Sequence, residues 1–293
     1  MRIILIGAVE FSLSMLEQLH TLDACIVGVC TLPQSKFNAD HVDLAQFSKL
    51  HGIPYLYVED INSPTTLKWI RQKSPDIIFC FGWSYLIKQE LLKLPPMGIL
   101  GFHPAALPLN RGRHPIIWAL ALGLTRTAST FFFMDEGADA GGIVSQRAVE
   151  ISSEDDARVL YNKITEIAKL QITELLPKLA DKSFFPVSQD SSIANYWRKR
   201  QSEDGKIDWR MSADSINNLV RALTSPYCGA HFYFNNIEIK VWKVELVSNV
   251  AENIEPGKVL ATKGMHPIIK CGVGALKLLS MSPNISLLEG EYL

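Results

Sequence analysis

Short apolar runs alternate with helix-spaced segments through the first half of the chain, and this alternation restricts the fold more than any other feature. The runs of strand length are Arg2–Gly7, Cys25–Cys30, Ile77–Phe81, Gly98–Phe102 and Ser129–Met134. The intervening segments have helical spacing; in one of them Ser63 is the expected cap and Pro64 the first residue of the helix. This order predicts an α/β fold, a Rossmann-like, mostly parallel sheet with helices on both faces.

The pattern changes near residue 205. One helical segment, Ser212–Leu223, is followed by short alternating runs at Ala230–Phe234, Ile237–Val247, Val259–Ala261, His266–Ile269 and Ala275–Leu279. Such runs indicate a small β-rich domain, similar to an open barrel. We therefore expect a Rossmann-like domain over residues 1–190 and a β-rich C-terminal domain over residues 205–293, with residues 182–205 containing their connection.

Charge and composition exclude several classes of protein. The 29 Lys and Arg against 30 Asp and Glu give a net charge of −1, which disfavours a nucleic-acid binder with a dominant basic surface. No apolar run approaches the ~18 residues of a membrane span, and the first residues lack the pattern of a signal peptide. Five scattered cysteines without a CxxC pair predict a cytoplasmic protein with no zinc site.

The loop after the first strand, Gly7-Ala8-Val9-Glu10, is not the GxGxxG fingerprint of a dinucleotide-binding enzyme. A Rossmann oxidoreductase is therefore disfavoured. The densest candidate site lies further on, in Gly101–Pro115, where two His, two Arg and three prolines lie at or just beyond a predicted strand. His103 lies at the end of that strand, where open α/β sheets bind ligands. A second loop, Met134–Gly142, is acidic and rich in glycine.

Three motifs resemble the folate-dependent formyltransferases. They are His-Pro-(x)3-Leu-Pro from His103, Arg-Gly-Arg from Arg111, and Met-Asp-x-Gly-Ala-Asp-x-Gly from Met134. The superfamily includes methionyl-tRNA formyltransferase, glycinamide ribonucleotide formyltransferase and the nucleotide-sugar N-formyltransferases. The segments Gly205–Trp209, Pro226–Ala230 and Pro256–Leu260 are similar to the family's C-terminal domain.

This resemblance implies transfer of a formyl group from 10-formyltetrahydrofolate to an amine, without a metal. The attacking amine must lose a proton and the folate nitrogen must gain one before it leaves. An imidazole, which titrates near pH 6.5, can do both, and a nearby carboxylate stabilises its charged form. By position, the resemblance assigns His103 as the proton shuttle and Asp139 as the carboxylate that tunes it.

The folate pocket also follows from the resemblance. The expected contacts are backbone groups of a loop after a strand, an arginine ten residues past the histidine, and the acidic loop: Tyr85, Leu86, Ile87, Arg113, Asp135, Glu136, Gly137 and Ala138. A flat pterin needs an apolar slot with polar groups at its edge, and Phe81, Trp83 and Tyr85 can line one.

The chain departs from the family at one position. The family has an oxyanion-stabilising Asn two residues before the catalytic His, whereas this chain has Gly101. Loss of one such donor costs about 10²–10³ in rate. The candidate replacements for this oxyanion donor are Asn110, a backbone amide near Gly101, a bound water or protonated His103.

The identity of the amine rests on charge and on a local motif. Residues 205–293 hold nine Lys and Arg against eight Asp and Glu, a poor balance for holding tRNA phosphates. The segment Leu109–Trp118 is more similar to sugar N-formyltransferases. We therefore expect a nucleotide-linked amino sugar of glycan biosynthesis, with backbone amides after Gly7 as candidate phosphate donors, and, as in sugar-type relatives, a homodimer. The alternatives are a methionyl-tRNA formyltransferase and a non-catalytic relative that binds folate or a nucleotide sugar.

Overall fold

A computed structural model describes residues 1–35, 38–262 and 266–293. The chain divides into two compact units. The first comprises Met1–Gly112, Thr127–Val149 and Asn162–Trp197, and the second comprises Arg113–Arg126, Glu150–Tyr161 and Arg198–Leu293.

The strands, in chain order, are β1 (Ile3–Ile6), β2 (Ile26–Thr31), β3 (Tyr55–Tyr57), β4 (Ile77–Cys80), β5 (Ile99–His103), β6 (Arg111–Gly112), β7 (Arg126–Phe133), β8 (Ile143–Glu150), β9 (Tyr196–Trp197), β10 (Ala230–Phe234), β11 (Ile237–Val247), β12 (Val259–Ala261), β13 (Ile268–Lys270) and β14 (Ala275–Ser282). The helices are α1 (Glu10–Thr21), α2 (Ala45–Leu50), α3 (Pro64–Lys73), α4 (Gln89–Leu92), α5 (Pro115–Ala121), α6 (Ala157–Ala180) and α7 (Ala213–Leu223), with a short 3₁₀ turn at Ser202–Gly205.

The first unit is built on a seven-stranded sheet in the order β3-β2-β1-β4-β5-β7-β8. Its first five strands pair in parallel, and β7 runs antiparallel to β5. The central strands β1 and β4 are buried at every position, as continuous apolar runs in a sheet covered on both faces require. Together with the separate β-rich sheet described below, this arrangement confirms the predicted fold class.

Local signals explain how several elements begin. Ser63 caps α3 by accepting the amide of Thr66 at 3.2 Å, and Pro64 follows as the first helical residue, as predicted. The sequence patterns do not predict β3, β6, β8 and β9. For β3, β6 and β9 the reason is their length, because runs of two or three residues carry too little periodicity to be recognised.

The second unit contains an antiparallel sheet in the order β10-β11-β14-β13-β12. The predicted limits of β10, β11 and β12 agree with the structure. Helix α7 is capped by Ser212, whose hydroxyl accepts the amide of Ser215 at 3.1 Å, and it packs against β11 and α5. Within the described residues, no helix combines the length and the apolar character needed to cross a membrane.

Candidate active site

His103 ends β5 with only 4% of its surface exposed. Its Nε2 lies 2.8 Å from the backbone carbonyl oxygen of Asn110. Because a carbonyl oxygen can only accept, Nε2 carries the proton and donates it. The other ring nitrogen, Nδ1, lies 3.6 Å from Oδ2 of Asp139. In the neutral ring Nδ1 therefore keeps its lone pair, so it is the nitrogen that can take up a proton, next to a carboxylate.

The carboxylate of Asp139 is held by the backbone. Its Oδ2 accepts the amide proton of Gly112 at 2.9 Å, and 22% of the side chain is exposed. The residue has a φ of 54°, a left-handed conformation that Asp adopts more readily than most residues do. This turn and the amide of Gly112 together aim the carboxylate at the imidazole.

One loop fixes both partners of this pair. Asn110, which supplies the carbonyl to His103, and Gly112, which supplies the amide to Asp139, both have positive φ, at 63° and 104°. A Cβ on Gly112 would lie 2.3 Å from the carbonyl oxygen of Trp197, so only glycine fits there. The tight turn of this loop thus sets the relative position of imidazole and carboxylate.

The acidic loop is shaped by its own residues. Asp135 accepts the amide of Gly137 at 2.9 Å, a local turn. Glu136 accepts the side-chain amide of Gln89 at 2.6 Å, which links this loop to helix α4. Glu136, Gly137 and Ala138 are exposed. These residues therefore leave an open edge beside Asp139.

The predicted pterin loop precedes α4. Tyr85 and Leu86 are exposed, whereas the side chain of Ile87 is buried in the core. The rings of Trp83 and Tyr85 lie 5.5 Å apart. In the part of the chain that the structure describes, the indole nitrogen of Trp83 is buried and has no hydrogen-bond partner. Aromatic faces next to a buried, unsatisfied donor suit a flat heterocycle.

Two of the predicted phosphate donors do not fit the structure. The amides of Val9 and Glu10 already donate, to the hydroxyl of Ser12 and to the carbonyl of Asp40. The prediction that amides after Gly7 bind a nucleotide phosphate is therefore wrong for these two groups, because folding uses their protons.

Arg113 is the one predicted folate contact that lies in the second unit. The other predicted site residues, His103, Asp139, Tyr85–Ile87 and the acidic loop, belong to the first unit. In residues 1–35, 38–262 and 266–293, no group of three His, Cys, Asp or Glu side chains is placed to hold a metal ion.

Comparison with family models decides the family. The model described as "Formyl transferase" matches residues 1–176, and the model described as "Formyl transferase, C-terminal domain" matches residues 199–286. The chain belongs to the formyltransferase family. The predicted family is confirmed, and the predicted enzyme class is the one that both models describe.

Solved structures of formyltransferases share the fold. WlaRD, a sugar 3N-formyltransferase determined with dTDP and 5-N-formyl-THF, matches with a TM-score of 0.72 and 17% identity, over 97% of this chain and 99% of WlaRD. Methionyl-tRNA formyltransferase from Clostridium thermocellum matches with a TM-score of 0.60 and 17% identity, over 84% of this chain and 93% of that enzyme.

HypX from Aquifex aeolicus, determined in complex with tetrahydrofolic acid, is also similar. It matches with a TM-score of 0.68 and 20% identity, over 96% of this chain but only 44% of HypX. The chain thus spans less than half the length of HypX. At these identities the three likenesses establish the fold.

At Gly101, where the resemblance leads one to expect an Asn, the space beside the backbone is filled. A Cβ built there would lie 2.9 Å from Cγ of Met134 and 3.0 Å from the ring of Phe132. The other candidate, Asn110, meets His103 through its backbone carbonyl, and its side-chain oxygen accepts from the amide of Asn195 at 3.2 Å. The packing of β5 against Phe132 of β7 and the following Met134 therefore leaves no room for a side chain at position 101.

Two residues near the site were not found from the sequence. Gln189 donates to the carbonyls of Asp139 and Gly141, and Asn195 pairs with Asn110. Both belong to a segment without periodicity that was interpreted as part of a connection. No local signal marks either residue, because Arg111, to which Gln189 is bonded, lies among Asn110, Gly112 and Arg113 in the sequence and its burial is seen only in the structure.

Proposed function

We propose that this protein is an N-formyltransferase that moves a formyl group from 10-formyltetrahydrofolate to the amine of a nucleotide-linked amino sugar. The observation that carries the proposal is the ring of His103, with Nε2 fixed on a carbonyl and Nδ1 facing the carboxylate of Asp139 at 3.6 Å. Residues 1–190 carry the chemistry in this proposal, and the protein acts as a homodimer.

His103 is the proton shuttle. Its Nδ1 takes the proton that the amine loses as it adds to the formyl carbon, and Asp139 stabilises the resulting imidazolium. The same nitrogen then returns the proton to the departing folate nitrogen. Because Nε2 stays bonded to Asn110, the ring keeps one orientation through both transfers.

The folate co-substrate supplies the formyl group and the leaving nitrogen when bound. The residues that would hold it are Tyr85–Ile87 by their backbone, the rings of Trp83 and Tyr85, and Asp135–Ala138. The buried, unpartnered indole nitrogen of Trp83 supports this assignment, because a buried donor is costly unless a ligand satisfies it. The ligands named for WlaRD and HypX, 5-N-formyl-THF and tetrahydrofolic acid, are of the same class.

An amino sugar is favoured over tRNA by two observations. Nine basic against eight acidic residues in 205–293 offer little attraction for a phosphate backbone. The segment Leu109–Trp118 is also more similar to sugar N-formyltransferases than to the tRNA enzymes.

A turnover assay tests the proposal. The protein is incubated with 10-formyltetrahydrofolate and, in parallel, with a dTDP- or UDP-linked amino sugar, with Met-tRNA, or with no amine, and release of tetrahydrofolate is followed. Release with an amino sugar and not with Met-tRNA supports the proposal. Release with Met-tRNA alone assigns the tRNA substrate instead, and no release with any amine favours a binding protein.

A further inference from the structure

The guanidinium of Arg111 is buried, with 1% of the residue exposed. Its Nε and Nη2 donate to Oε1 of Gln189 at 3.1 and 2.8 Å, and its Nη1 donates to the hydroxyl of Tyr196 at 2.9 Å. Both acceptors are neutral. The one oxygen of Gln189 accepts two of the hydrogen bonds that the buried guanidinium needs. Because these bonds require the oxygen to face Arg111, they fix the orientation of the Gln189 amide.

The other end of the same amide holds the loop of Asp139. Nε2 of Gln189 donates to the carbonyl of Asp139 at 2.8 Å and to that of Gly141 at 2.7 Å. Arginine can only donate and carbonyls can only accept, so the oxygen of Gln189 must face Arg111 and its nitrogen must face the loop. One side chain thus joins the buried cation to the left-handed turn that presents the carboxylate.

The stretch of chain from Gln189 to Trp197 also bonds to the loop of Asn110, whose carbonyl accepts from His103. Oδ1 of Asn195 accepts the backbone amide of Asn110, and the carbonyl of Asn195 accepts the amide of Arg111 at 3.1 Å. Strand β9 then pairs with β6. The stretch from Gln189 to Trp197 therefore bonds to both loops, the one that positions the imidazole and the one that positions the carboxylate.

We infer that Gln189 is a positioning residue for formyl transfer, which holds Asp139 at the working distance from His103. The inference rests on the proposed function. Gln189 lies between the two family-model matches, which end at residue 176 and resume at residue 199. Through Gln189 and Asn195, the stretch between the two matches thus has a role beyond that of a connection.

The variant Gln189→Glu separates positioning from packing. A glutamate still accepts from Arg111, and its charge pairs with the buried cation, so the fold is retained. It has no protons for the carbonyls of Asp139 and Gly141, so the loop is released. A displacement of about 1 Å can cost about 10²-fold in rate. We expect kcat to fall by at least about tenfold, with KM for both substrates within about twofold of the wild type.

Two further variants complete the design. Gln189→Ala also removes the donor to the carbonyls of Asp139 and Gly141, and should lose kcat in the same way. Its fold should be retained, because water can reach Arg111 at this half-buried position. Ser188→Ala changes the exposed neighbour of Gln189 and should keep the wild-type kcat. A wild-type kcat in Gln189→Glu, or an equal loss in Ser188→Ala, overturns the inference.

A second readout needs no turnover. The ¹⁵N resonances of the His103 ring report the surroundings of Nδ1 in the protein without substrates. We expect Gln189→Glu to move them in the same direction as Asp139→Asn, while Ser188→Ala leaves them in place. Unchanged resonances in Gln189→Glu contradict the positioning role. If the wild-type protein formylates no amine, the proposed function fails, and these resonances still decide whether Gln189 positions Asp139.

Discussion

Nδ1 of His103 lies 3.6 Å from Oδ2 of Asp139, and the two side chains are held by groups of a single loop. The carbonyl of Asn110 accepts from His103, and the amide of Gly112 donates to Asp139. In the neutral ring, this arrangement places the nitrogen that keeps its lone pair beside a carboxylate.

Replacement of either partner should abolish most of the turnover. For His103→Gln and Asp139→Asn we expect kcat to fall by about 10²–10⁴-fold, the contribution of a positioned proton-transfer group. Steady-state formyl transfer, with thermal unfolding to show that the fold survives, checks this. His20→Gln, at an exposed position of α1, is the control and should keep full activity. A near-normal rate in either site variant would contradict the assigned roles.

Restoring the family's asparagine should not help this protein. In Gly101→Asn the new Cβ meets Met134 at 2.9 Å and Phe132 at 3.0 Å, so we expect a loss of about 1–3 kcal/mol in the free energy of unfolding, and a slower enzyme. Urea denaturation measures the loss. Gly52→Asn is the matched control, because its Cβ meets no atom within 4 Å and its φ of 67° suits Asn. Faster turnover at unchanged stability would show that an empty oxyanion position exists.

Gly112→Ala tests the loop that joins the two groups to which we assign catalysis. The Cβ would lie 2.3 Å from the carbonyl of Trp197, and the φ of 104° is strained for alanine, so the amide that holds Asp139 must move. We expect kcat to fall by about tenfold or more, since small displacements at such sites have large effects on rate. Gly290→Ala has a similar φ of 90° and meets no atom within 4 Å, and should stay active. Full activity in Gly112→Ala would refute the role of the loop.

Acid should weaken the second unit through His114. Burial above all, and then the charges of Arg113, Arg200 and Lys199, lower the pKa of this imidazole from 6.5 to about 4. Its Nδ1 accepts the amide of Arg200 at 3.3 Å, which requires the neutral ring. Between pH 6.5 and 4 the unfolded chain binds a proton at His114 that the folded chain does not, so the stability from this group falls as the pH falls.

The variant His114→Asn removes this titration and suits the φ of 57° at that position. We expect its urea midpoint to fall less than that of the wild type between pH 7 and about pH 5. Parallel curves for the two proteins would show that His114 does not carry this dependence.

Local sequence signals predicted the elements with long or strongly marked patterns. The Ser63-Pro64 start of α3 and the limits of β10 and β11 agree with the structure, because capping residues and strict alternation act over a few neighbouring positions. The closeness of His103 and Asp139 followed from the resemblance to a family, since nothing local joins β5 to the loop after β7.

Polar contacts between residues far apart in the sequence could not be predicted from it. Arg111 and Gln189 are 78 residues apart, and no periodicity marks either as a partner of the other. The packing at Gly101 depends on Met134 and Phe132, which approach it only in the folded sheet. The sequence also cannot show that folding already uses the amide protons of Val9 and Glu10, two of the predicted phosphate donors.

In the proposed reaction, His103 and Asp139 together relay the proton of an amine that receives a formyl group. The most direct test mixes the protein with 10-formyltetrahydrofolate and a dTDP-linked amino sugar, and measures the formylated sugar by mass spectrometry for the wild type and Asp139→Asn. We predict formylated sugar and tetrahydrofolate in equal amounts with the wild type, and almost none with the variant. Equal product from both proteins would contradict the account.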